Sequence, residues 1–490
     1  MVTTSTPEPL SVLSDDSALK LPLCVALHGA LLRTEIWSEH ALSLLRKRPL
    51  LMFVLPFYFL GGRSRLKAAV LARSSVDARG LPYRSELVEA LRDTKAKGRS
   101  LVLTSNLDAE LAHGVSEHLG LFDEIVADEA WDHEQQRAAL TARFGDAGFD
   151  YVGHAAAEAP LLGAARHSVL IGASGSAAAS ARRFGDKVTV ASGRPSRLRA
   201  AIKVLRVHQW SKNALVVVPL LLAPGIPSPH KVAAALLAAL AFSLCASSGY
   251  VFNDLIDIDA DRAHRTKHRR PFASGALPAV LGPPLFLALL GASFMIALLA
   301  LPLSFSGMLG AYFITTMAYS LVLKSKLMLD VVVLAGLYTH RVLSGGIATD
   351  TVISAWLLAF SLFMFSSLAF AKRYIELRQT SGKGGQLMHR GYFTEDQAMV
   401  ASMGPTAGYM AVLLFCLYIQ ESSTVAVVYH TPALLWFLVP VLLYWISRVW
   451  FLAHRGQMQD DPVKFALTDR RSWVCAVLAA VVALAARFYG

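Results

Sequence analysis

The chain has 490 residues, of which 54% are hydrophobic and 17% are charged, and its formal net charge is +12. A soluble protein of this length carries more charge and divides into several domains, so the composition excludes an ordinary soluble protein and indicates one that interacts with the lipid bilayer. Basic cytoplasmic loops explain the positive excess, and no basic stripe interleaved with aromatic residues indicates a nucleic-acid partner.

The first 200 residues have the pattern of a soluble α/β domain. Residues 1–16 are polar and acidic and lack the basic and apolar regions of a signal peptide, so we expect this domain in the cytoplasm. Helical patterns at 86–97 and 108–119 lie between short apolar runs, and this alternation predicts a doubly wound parallel sheet. The runs are residues 23–27, 100–104, 151–152, 168–171 and 187–190.

One apolar run in this domain, residues 50–60, is too short to span a bilayer and contains Pro56. We interpret it as part of an inserted cap that lies against the membrane, with core packing as an equal alternative.

After residue 200 the apolar segments are long enough to cross a membrane. We predict nine transmembrane helices, at 213–224, 231–252, 280–300, 303–323, 328–348, 352–371, 399–420, 432–453 and 472–489. The loops at 253–278, 324–327, 372–398 and 454–471 are rich in Lys and Arg. By the positive-inside pattern these loops face the cytoplasm, which predicts a multi-pass protein of the inner membrane with its polar loops on the cytoplasmic side.

An acidic motif follows the second predicted span. Asp254, Asp257 and Asp261 have the spacing i, i+3 and i+7, so on a helix they share one face. Carboxylates are costly near a bilayer and repel one another unless a cation lies between them. Mg²⁺ takes a few carboxylates and shares its remaining positions with water and phosphates, and Lys267 and Arg270 follow to bind phosphate. The pattern predicts a magnesium–diphosphate site, with a solvated charged helix end as the alternative.

Asn253 and the three aspartates resemble the first aspartate motif of the UbiA superfamily of intramembrane prenyltransferases, whose nine helices surround a cavity open to lipid. The flanking segments are similar to its decaprenyl-phosphate phosphoribosyltransferase branch. These segments are 205–213, 261–271, 326–346, 372–377 and 460–470. The resemblance covers residues 201–490 and implies an all-α transmembrane transferase domain.

The implied reaction moves 5-phosphoribose from phosphoribosyl diphosphate to a polyprenyl phosphate of the decaprenyl type, for lipid-linked pentose donors in envelope glycan synthesis. It implies Mg²⁺ held by Asp254, Asp257 and Asp261, which are also the catalytic residues. The substrate-binding candidates are Asn253, Lys267, Arg270, Lys212, Arg206, Arg341, Lys326, Lys372, Arg373 and Arg390. The sequence leaves the oligomeric state open, with a homo-oligomer as one option.

Several of these residues have a simpler explanation. Lys267 and Arg270 fit orientation signals, and Lys212 fits a lysine whose ammonium group reaches the lipid headgroups. Asp330 and Arg341 lie in one apolar span, where a structural buried pair is as well supported as a ligand role. The aspartates before the last span, Asp460, Asp461 and Asp469, are interpreted as helix caps.

Residues 1–200 resemble a haloacid-dehalogenase-like domain in the segments 26–32, 104–105, 119–123, 137–140 and 149–154. An active member of that family needs two aspartates after its first strand, and here Ala26 and His28 occupy those positions. Gln136 stands in place of the family's lysine, and His154 in place of its late metal-binding aspartate. Because alanine forms no phosphoenzyme, we predict an inactive phosphatase-like domain with a scaffolding, docking or allosteric role.

Three competing functions stay open. A prenyltransferase that uses a prenyl diphosphate needs the same metal motif and aromatic residues around a carbocation, for which Tyr312, Phe313 and Tyr319 are candidates. A transporter or lipid-binding scaffold is a second option, although no internal repeat supports it. A regulatory protein would require both halves to be inactive, which the intact aspartate motif argues against.

Overall fold

In the computed structural model, the described residues are 19–34, 36–48, 51, 70, 76–106, 108–173, 175–193, 197–264, 266–380, 390–421, 425–458 and 461–488. The predicted cap at 50–60 lies outside them except for residue 51, and Asp460 also lies outside. The chain forms two compact units, the first containing Met1–Leu205 and Tyr250–Leu287 and the second Arg206–Gly249 and Ala288–Gly490.

The first unit contains a six-stranded parallel sheet with the strand order β3-β2-β1-β4-β5-β6. Its strands are β1 Leu23–Ala26, β2 Leu101–Ser105, β3 Glu124–Ala127, β4 Asp150–Gly153, β5 Ser168–Ala173 and β6 Val188–Gly193. The five predicted strands are present, and the order confirms the doubly wound sheet. Strand β3 was not predicted, because this four-residue edge strand is only half-buried and lacks a continuous apolar run.

Seven helices are described in this α/β part. They are α1 Ile36–Lys47, α2 Ser85–Ala96, α3 Ala109–Leu119, α4 His133–Phe144, α5 Ala159–Ala164, α6 Gly175–Ala181 and α7 Arg197–Leu205. Two of them, α3 and α4, begin at an aspartate that caps the helix. The Asp108 carboxylate accepts from the backbone N–H of Leu111 at the start of α3, and Gly120 ends that helix in the left-handed conformation. Because the strand order reverses between β1 and β4, the residues after those strands lie at the switch point of the sheet, where ligands of such folds bind.

The second unit is helical. The remaining helices are α8 Val218–Leu222, α9 Pro229–Ile256, α10 Ile258–Ala263, α11 Gly282–Ala300, α12 Leu303–Leu321, α13 Leu329–Thr349, α14 Ala355–Thr380, α15 Gln397–Gln420, α16 Leu438–Arg455, α17 Pro462–Thr468 and α18 Arg470–Phe488. Helix α9 begins in the second unit and ends in the first, α10 lies in the first unit, and α11 begins in the first and ends in the second. Among the described residues, seven helical segments are long and apolar enough to cross a membrane, so the chain is a multi-pass membrane protein. Those seven lie at Pro229–Ile256, Ala279–Ala300, Leu329–Thr349, Ala355–Gln379, Thr394–Gln420, Pro432–Arg455 and Arg470–Phe488.

Two of the nine predicted spans are not among these seven. The segment predicted as 213–224 is a 3₁₀ stretch, Val207–Val217, followed by the five-residue helix α8, which begins beside Pro219. Helix α12 has 19 residues and includes several Ser, Thr and Gly residues that lower its hydropathy. The count of nine membrane spans therefore stays a prediction.

Close helix packing in the second unit depends on two glycines of α15. A Cβ atom on Gly404 would lie 1.9 Å from the Trp450 ring, and one on Gly408 would lie 2.6 Å from the Ile446 side chain. Small residues four positions apart let helix backbones approach closely within a membrane, which here brings α15 against α16.

Candidate functional site

The aspartate motif lies at a break between two helices of the first unit. Helix α9 ends at Ile256 and α10 begins at Ile258, with Asp257 between them. The hydrogen bonds from Asp257 N to Asn253 O, 2.9 Å, and from Asp261 N to Asp257 O, 2.8 Å, continue the helical pattern across this break. Asp254 therefore sits on the last turn of a long apolar helix, and Asp261 lies one to two turns further along.

Two of the three carboxylates converge on one cationic group. Nη1 of Arg270 donates to Asp254 Oδ1 at 3.1 Å and to Asp261 Oδ2 at 2.7 Å. Both aspartates are 2% exposed, and the Arg270 side chain is 29% exposed. Because two buried carboxylates repel one another unless a cation compensates them, this geometry defines a cation position between Asp254 and Asp261.

The donor set fits Mg²⁺ in part. Mg²⁺ usually takes one or two protein carboxylates and completes its octahedron with water and substrate phosphates. Asp254 and Asp261 supply that number at one position, whereas Asp257 is half-buried in the break between α9 and α10. In the described part of the chain no three His, Cys, Asp or Glu side chains are close enough to form a complete protein cage. The residues therefore suit a metal shared with a phosphate-bearing substrate rather than a structural metal.

The polar residues around the motif differ in exposure. Asn253 is half-buried at the end of α9, whereas Lys267 and Arg269 are exposed on the loop after α10. His264 lies outside the membrane-spanning segments, and its pKa is below the ordinary value because of partial burial and the nearby positive charge of Lys267. Lys267 thus stays accessible to a soluble anion, while Arg270 already binds the aspartates.

In the second unit, Arg341 is a buried cation on α13. Its Nε donates to Asn213 Oδ1 at 2.9 Å, its Nη2 to the Tyr312 hydroxyl at 2.8 Å and its Nη1 to the backbone oxygen of Leu337 at 2.7 Å. Its guanidinium carbon also lies 5.3 Å from the centre of the Tyr338 ring. All three hydrogen-bond acceptors are neutral, so the positive charge of Arg341 stays uncompensated by them inside an apolar span.

Lys212 and Lys372 share one carboxylate. Lys212 Nζ forms an ion pair with Asp461 Oδ2, and Lys372 Nζ lies 4.0 Å from the same oxygen. Lys212 also lies 6.0 Å from the centre of the Tyr338 ring that contacts Arg341. Burial raises the pKa of Asp461, but Lys372 and Lys212 outweigh it, so the pKa is held below its ordinary value. We call Lys212, Lys372, Arg341 and Asp461 the basic cluster, which combines three cations with one carboxylate.

One of the two alternatives for Asp330 and Arg341, a structural pair between them, is wrong. The two residues lie eleven positions apart on α13, which is about 16 Å along a helix axis. Asp330 instead lies 3.1 Å from Arg373 Nε and 3.6 Å from Arg390 Nη1, and it accepts from the Tyr392 hydroxyl at 2.8 Å.

Glu376 completes this acidic–basic network. It pairs with Arg373 and lies 3.2 Å from Arg390 Nε, so two cations and two carboxylates balance. Arg373 is completely buried, and α14 continues nine residues beyond the predicted end of that span. This balance favours a structural role for Arg373 and Arg390, and their role as phosphate ligands stays a prediction.

The remaining candidates lie at the ends of helices. Arg206 is half-buried with a left-handed φ of 51°, and Lys326 is exposed before α13. Asp461 and Asp469 cap α17 and α18, accepting from the backbone N–H groups of Val463 and Ser472, as predicted.

In the α/β part, Ala26, His28 and His154 lie at the end of β1 or shortly after β1 and β4, next to the switch point of the sheet. His28 follows β1, and its Nε2 lies 3.2 Å from Oγ of Ser105, the last residue of β2. His154 follows β4, and its Nδ1 lies 3.2 Å from Glu158 Oε1. The side chain of Ala26 offers no nucleophile at the end of β1.

Sequence reasoning missed Asn213, Tyr338 and Tyr392 as partners of the charged groups. The available signal was a polar or aromatic side chain inside an apolar segment, which is costly there unless it binds something. Asn213 is also the last residue of the segment 205–213, which resembles the phosphoribosyltransferase branch.

The comparisons with known proteins agree with this architecture. The model of the UbiA prenyltransferase family matches residues 214–471, which is 258 of the 490 residues. The uncharacterized protein y4nM of Sinorhizobium fredii is 33% identical over 467 residues, covering 94% of this chain and 90% of that protein.

Two further relatives match over a smaller share of this chain. Nodulation protein NoeC of Azorhizobium caulinodans is 37% identical over 274 residues, covering 55% of this chain and 87% of that protein. Decaprenyl-phosphate phosphoribosyltransferase of Mycolicibacterium smegmatis is 28% identical over 315 residues, covering 61% of this chain and 98% of that protein. With a family match over more than half of its length and a relative similar along nearly all of it, this chain belongs to the UbiA prenyltransferase family.

Proposed function

We propose that the chain transfers 5-phosphoribose from phosphoribosyl diphosphate to a polyprenyl phosphate and releases diphosphate. The observation that supports it most directly is the cation position between Asp254 and Asp261, which suits Mg²⁺ bound to a diphosphate. The similarity to a decaprenyl-phosphate phosphoribosyltransferase supplies the donor and acceptor classes.

The reaction breaks the bond between ribose C1 and the diphosphate oxygen, and the electron pair leaves with the diphosphate. An oxygen of the acceptor phosphate then bonds to C1. The acceptor is already an anion, so no general base is required and the protein has to position and compensate charge. Mg²⁺, held by Asp254, Asp257 and Asp261, would neutralise charge on the leaving diphosphate.

On the donor side, Lys267 and Arg270 have different tasks. Exposed Lys267 binds the incoming phosphates as a mobile point charge, and Asn253 orients the site through its amide. Arg270 compensates the aspartates before the substrate arrives and is then free to turn its guanidinium towards the donor's phosphates, to which it is suited by its planar fork.

On the acceptor side, we assign the lipid phosphate to the basic cluster of the second unit. Its three cations exceed its one carboxylate by two charges, which matches a phosphate dianion. Arg206, Lys326, Arg373 and Arg390 are secondary candidates, because two are at helix ends and two belong to a balanced network.

The prenyl diphosphate alternative is less well supported. A prenyl carbocation is stabilised by aromatic faces, but the Arg341 guanidinium already contacts the Tyr312 ring, with its central carbon 4.9 Å from the ring centre. A second cation against that ring would be repelled. The same guanidinium is favourable for an anionic acceptor.

The α/β part is proposed to be a non-catalytic, haloacid-dehalogenase-like domain on the cytoplasmic side of the inner membrane. Ala26, His28 and His154 supply no carboxylate where such a phosphatase needs its nucleophile, its acid–base group and its metal ligand. A lipid-binding scaffold or a transporter needs no intact aspartate motif, so the motif favours the transferase over both alternatives.

Transfer of radiolabel tests the function. Purified protein receives ribose-labelled phosphoribosyl diphosphate, Mg²⁺ and polyprenyl phosphates of several lengths, and label in the lipid phase is counted. Asp254→Asn is expected to abolish transfer because the site loses a carboxylate without losing volume. The alternative reaction would be established by two results together. No polyprenyl phosphate would receive label, and the protein would release diphosphate when given a prenyl diphosphate and an aromatic acceptor.

A further inference from the structure

The segment after the aspartate motif is bound to the α/β part within the first unit. We call residues 262–264 and 266–275 the motif loop. Arg262, directly after Asp261, donates from Nη2 to Glu39 Oε1 at 2.8 Å and from Nη1 to Glu39 Oε2 at 2.9 Å. Glu39 lies on α1, so a two-point pair joins residues separated by 223 positions in the chain.

This ion pair is largely shielded from solvent, and both partners make further hydrogen bonds. Glu39 is 4% exposed and also accepts from the Thr34 hydroxyl at 2.8 Å. Arg262 further donates to the backbone oxygens of Gly80, 2.9 Å, and Ala273, 3.3 Å. Buried ion pairs are specific when such additional hydrogen bonds complete both partners. The guanidinium therefore ties α1, the turn at Gly80 and the far end of the motif loop together.

Further contacts hold the motif loop against the same part. Gly275 has a φ of +71°, and a Cβ atom there would lie 2.9 Å from Thr34 Cγ2 and from Arg33 Cβ. Lys203 Nζ donates to the backbone oxygen of Arg269 at 3.3 Å. Gly275 is thus required both by its conformation and by the close approach of the residues before α1.

The anchored residues are the neighbours of the proposed metal and diphosphate residues. Asp261 and Arg262 are adjacent on the six-residue helix α10, and Arg270 lies between the two anchored positions, Arg262 and Ala273. Fixing these positions fixes the distance between Asp261 and Arg270, which is 2.7 Å between their nearest polar atoms.

We propose that Glu39, through Arg262, is a positioning residue for the cation and diphosphate site, a role that rests on the proposed function. The α/β part then acts as a clamp on the motif loop.

The test compares Glu39→Gln with Glu86→Gln in the full-length protein in nanodiscs. Glu86 is the matched control, because it also pairs with an arginine of the α/β part, Arg33, but its side chain is 56% exposed. Hydrogen exchange of the motif loop and Mn²⁺ affinity, measured by electron paramagnetic resonance, are the readouts. We expect Glu39→Gln to accelerate loop exchange and to weaken Mn²⁺ binding by about tenfold, as loss of a charged hydrogen bond implies.

A double-mutant cycle with Arg262→Gln tests whether Glu39 acts through Arg262. Removing both charges should restore part of the loss, because neither partner is then left buried and unpaired. If Glu39→Gln does not fold, Arg262→Lys replaces it, since lysine keeps the charge but loses the two-point geometry.

Unchanged loop exchange in Glu39→Gln, or faster exchange with unchanged Mn²⁺ affinity, would overturn the positioning role. A wild-type protein that binds no Mn²⁺ would overturn it as well. Absence of phosphoribosyl transfer alongside the expected Mn²⁺ and exchange results would contradict only the proposed function.

Discussion

Replacement of Arg270 by glutamine is expected to make the stability of the first unit depend on Mg²⁺. In the wild type Arg270 Nη1 contacts both Asp254 and Asp261, whose side chains are almost completely buried. Glutamine retains a donor but removes the charge, which leaves two carboxylates that repel one another.

The size of the effect follows from these two contacts. A hydrogen bond to a charged group contributes about 1.5–3 kcal/mol, and the partly exposed Arg270 belongs at the low end because solvent screens it. We therefore expect a loss of about 2 kcal/mol. For a cooperative unit of about 150–250 residues, this lowers the unfolding temperature by roughly 4–8 °C.

Thermal unfolding followed by intrinsic fluorescence, with and without Mg²⁺, measures this effect. Arg269→Gln is the matched control, because it removes the same charge from an exposed neighbouring position. Mg²⁺ should restore the stability of Arg270→Gln by replacing the missing cation and should change Arg269→Gln little. Equal unfolding temperatures for both variants, with no selective response to Mg²⁺, would refute the cation position.

Three further predictions concern other charged groups. Arg341→Lys keeps the charge but loses the contact with Asn213, so the KM for polyprenyl phosphate should rise about tenfold in transfer assays. Asp461→Asn keeps a helix cap but removes the negative charge that pairs with Lys212, so acceptor titrations should show a lower KM for polyprenyl phosphate. Burial raises the pKa of Asp150, but Arg166 and Arg99 outweigh burial and lower the pKa of that carboxyl in the folded protein. The ionised Asp150 therefore stabilises the fold above its unfolded pKa of about 4, and this stabilisation is lost as the pH falls through the lower native pKa. In unfolding experiments, Asp150→Asn should reduce the decrease in stability at acidic pH.

The α/β sheet was predictable because its strands are short, buried and apolar. Strand β2 reads Leu-Val-Leu-Thr-Ser and is buried at every position, which is typical of parallel sheets covered on both faces. Strand β3 was not predictable from this pattern, because its edge position leaves most of its residues half-exposed.

The aspartate motif was predictable because its chemistry is local. The spacing of Asp254, Asp257 and Asp261 lies within two helical turns, so the sequence alone places them near one another. The partners of Asp330 were not predictable, because Arg373 and Tyr392 lie more than forty positions away and meet it only through helix packing. Their common apolar span suggested a pair with Arg341 as one of two alternatives, but the two residues are eleven positions apart on α13.

Arg341 and Arg373 show how charge balance distinguishes two kinds of buried arginine. Both lie in apolar spans, but Arg373 pairs with Asp330 and Glu376, so its charge is compensated by the protein itself. The hydrogen bonds of Arg341 go to the neutral groups of Asn213, Tyr312 and Leu337. A buried cation held by neutral dipoles is oriented without being neutralised, and desolvation makes its attraction for an incoming anion stronger than it would be in water. This difference, rather than burial alone, supports Arg341 as an acceptor-phosphate residue and Arg373 as a structural one.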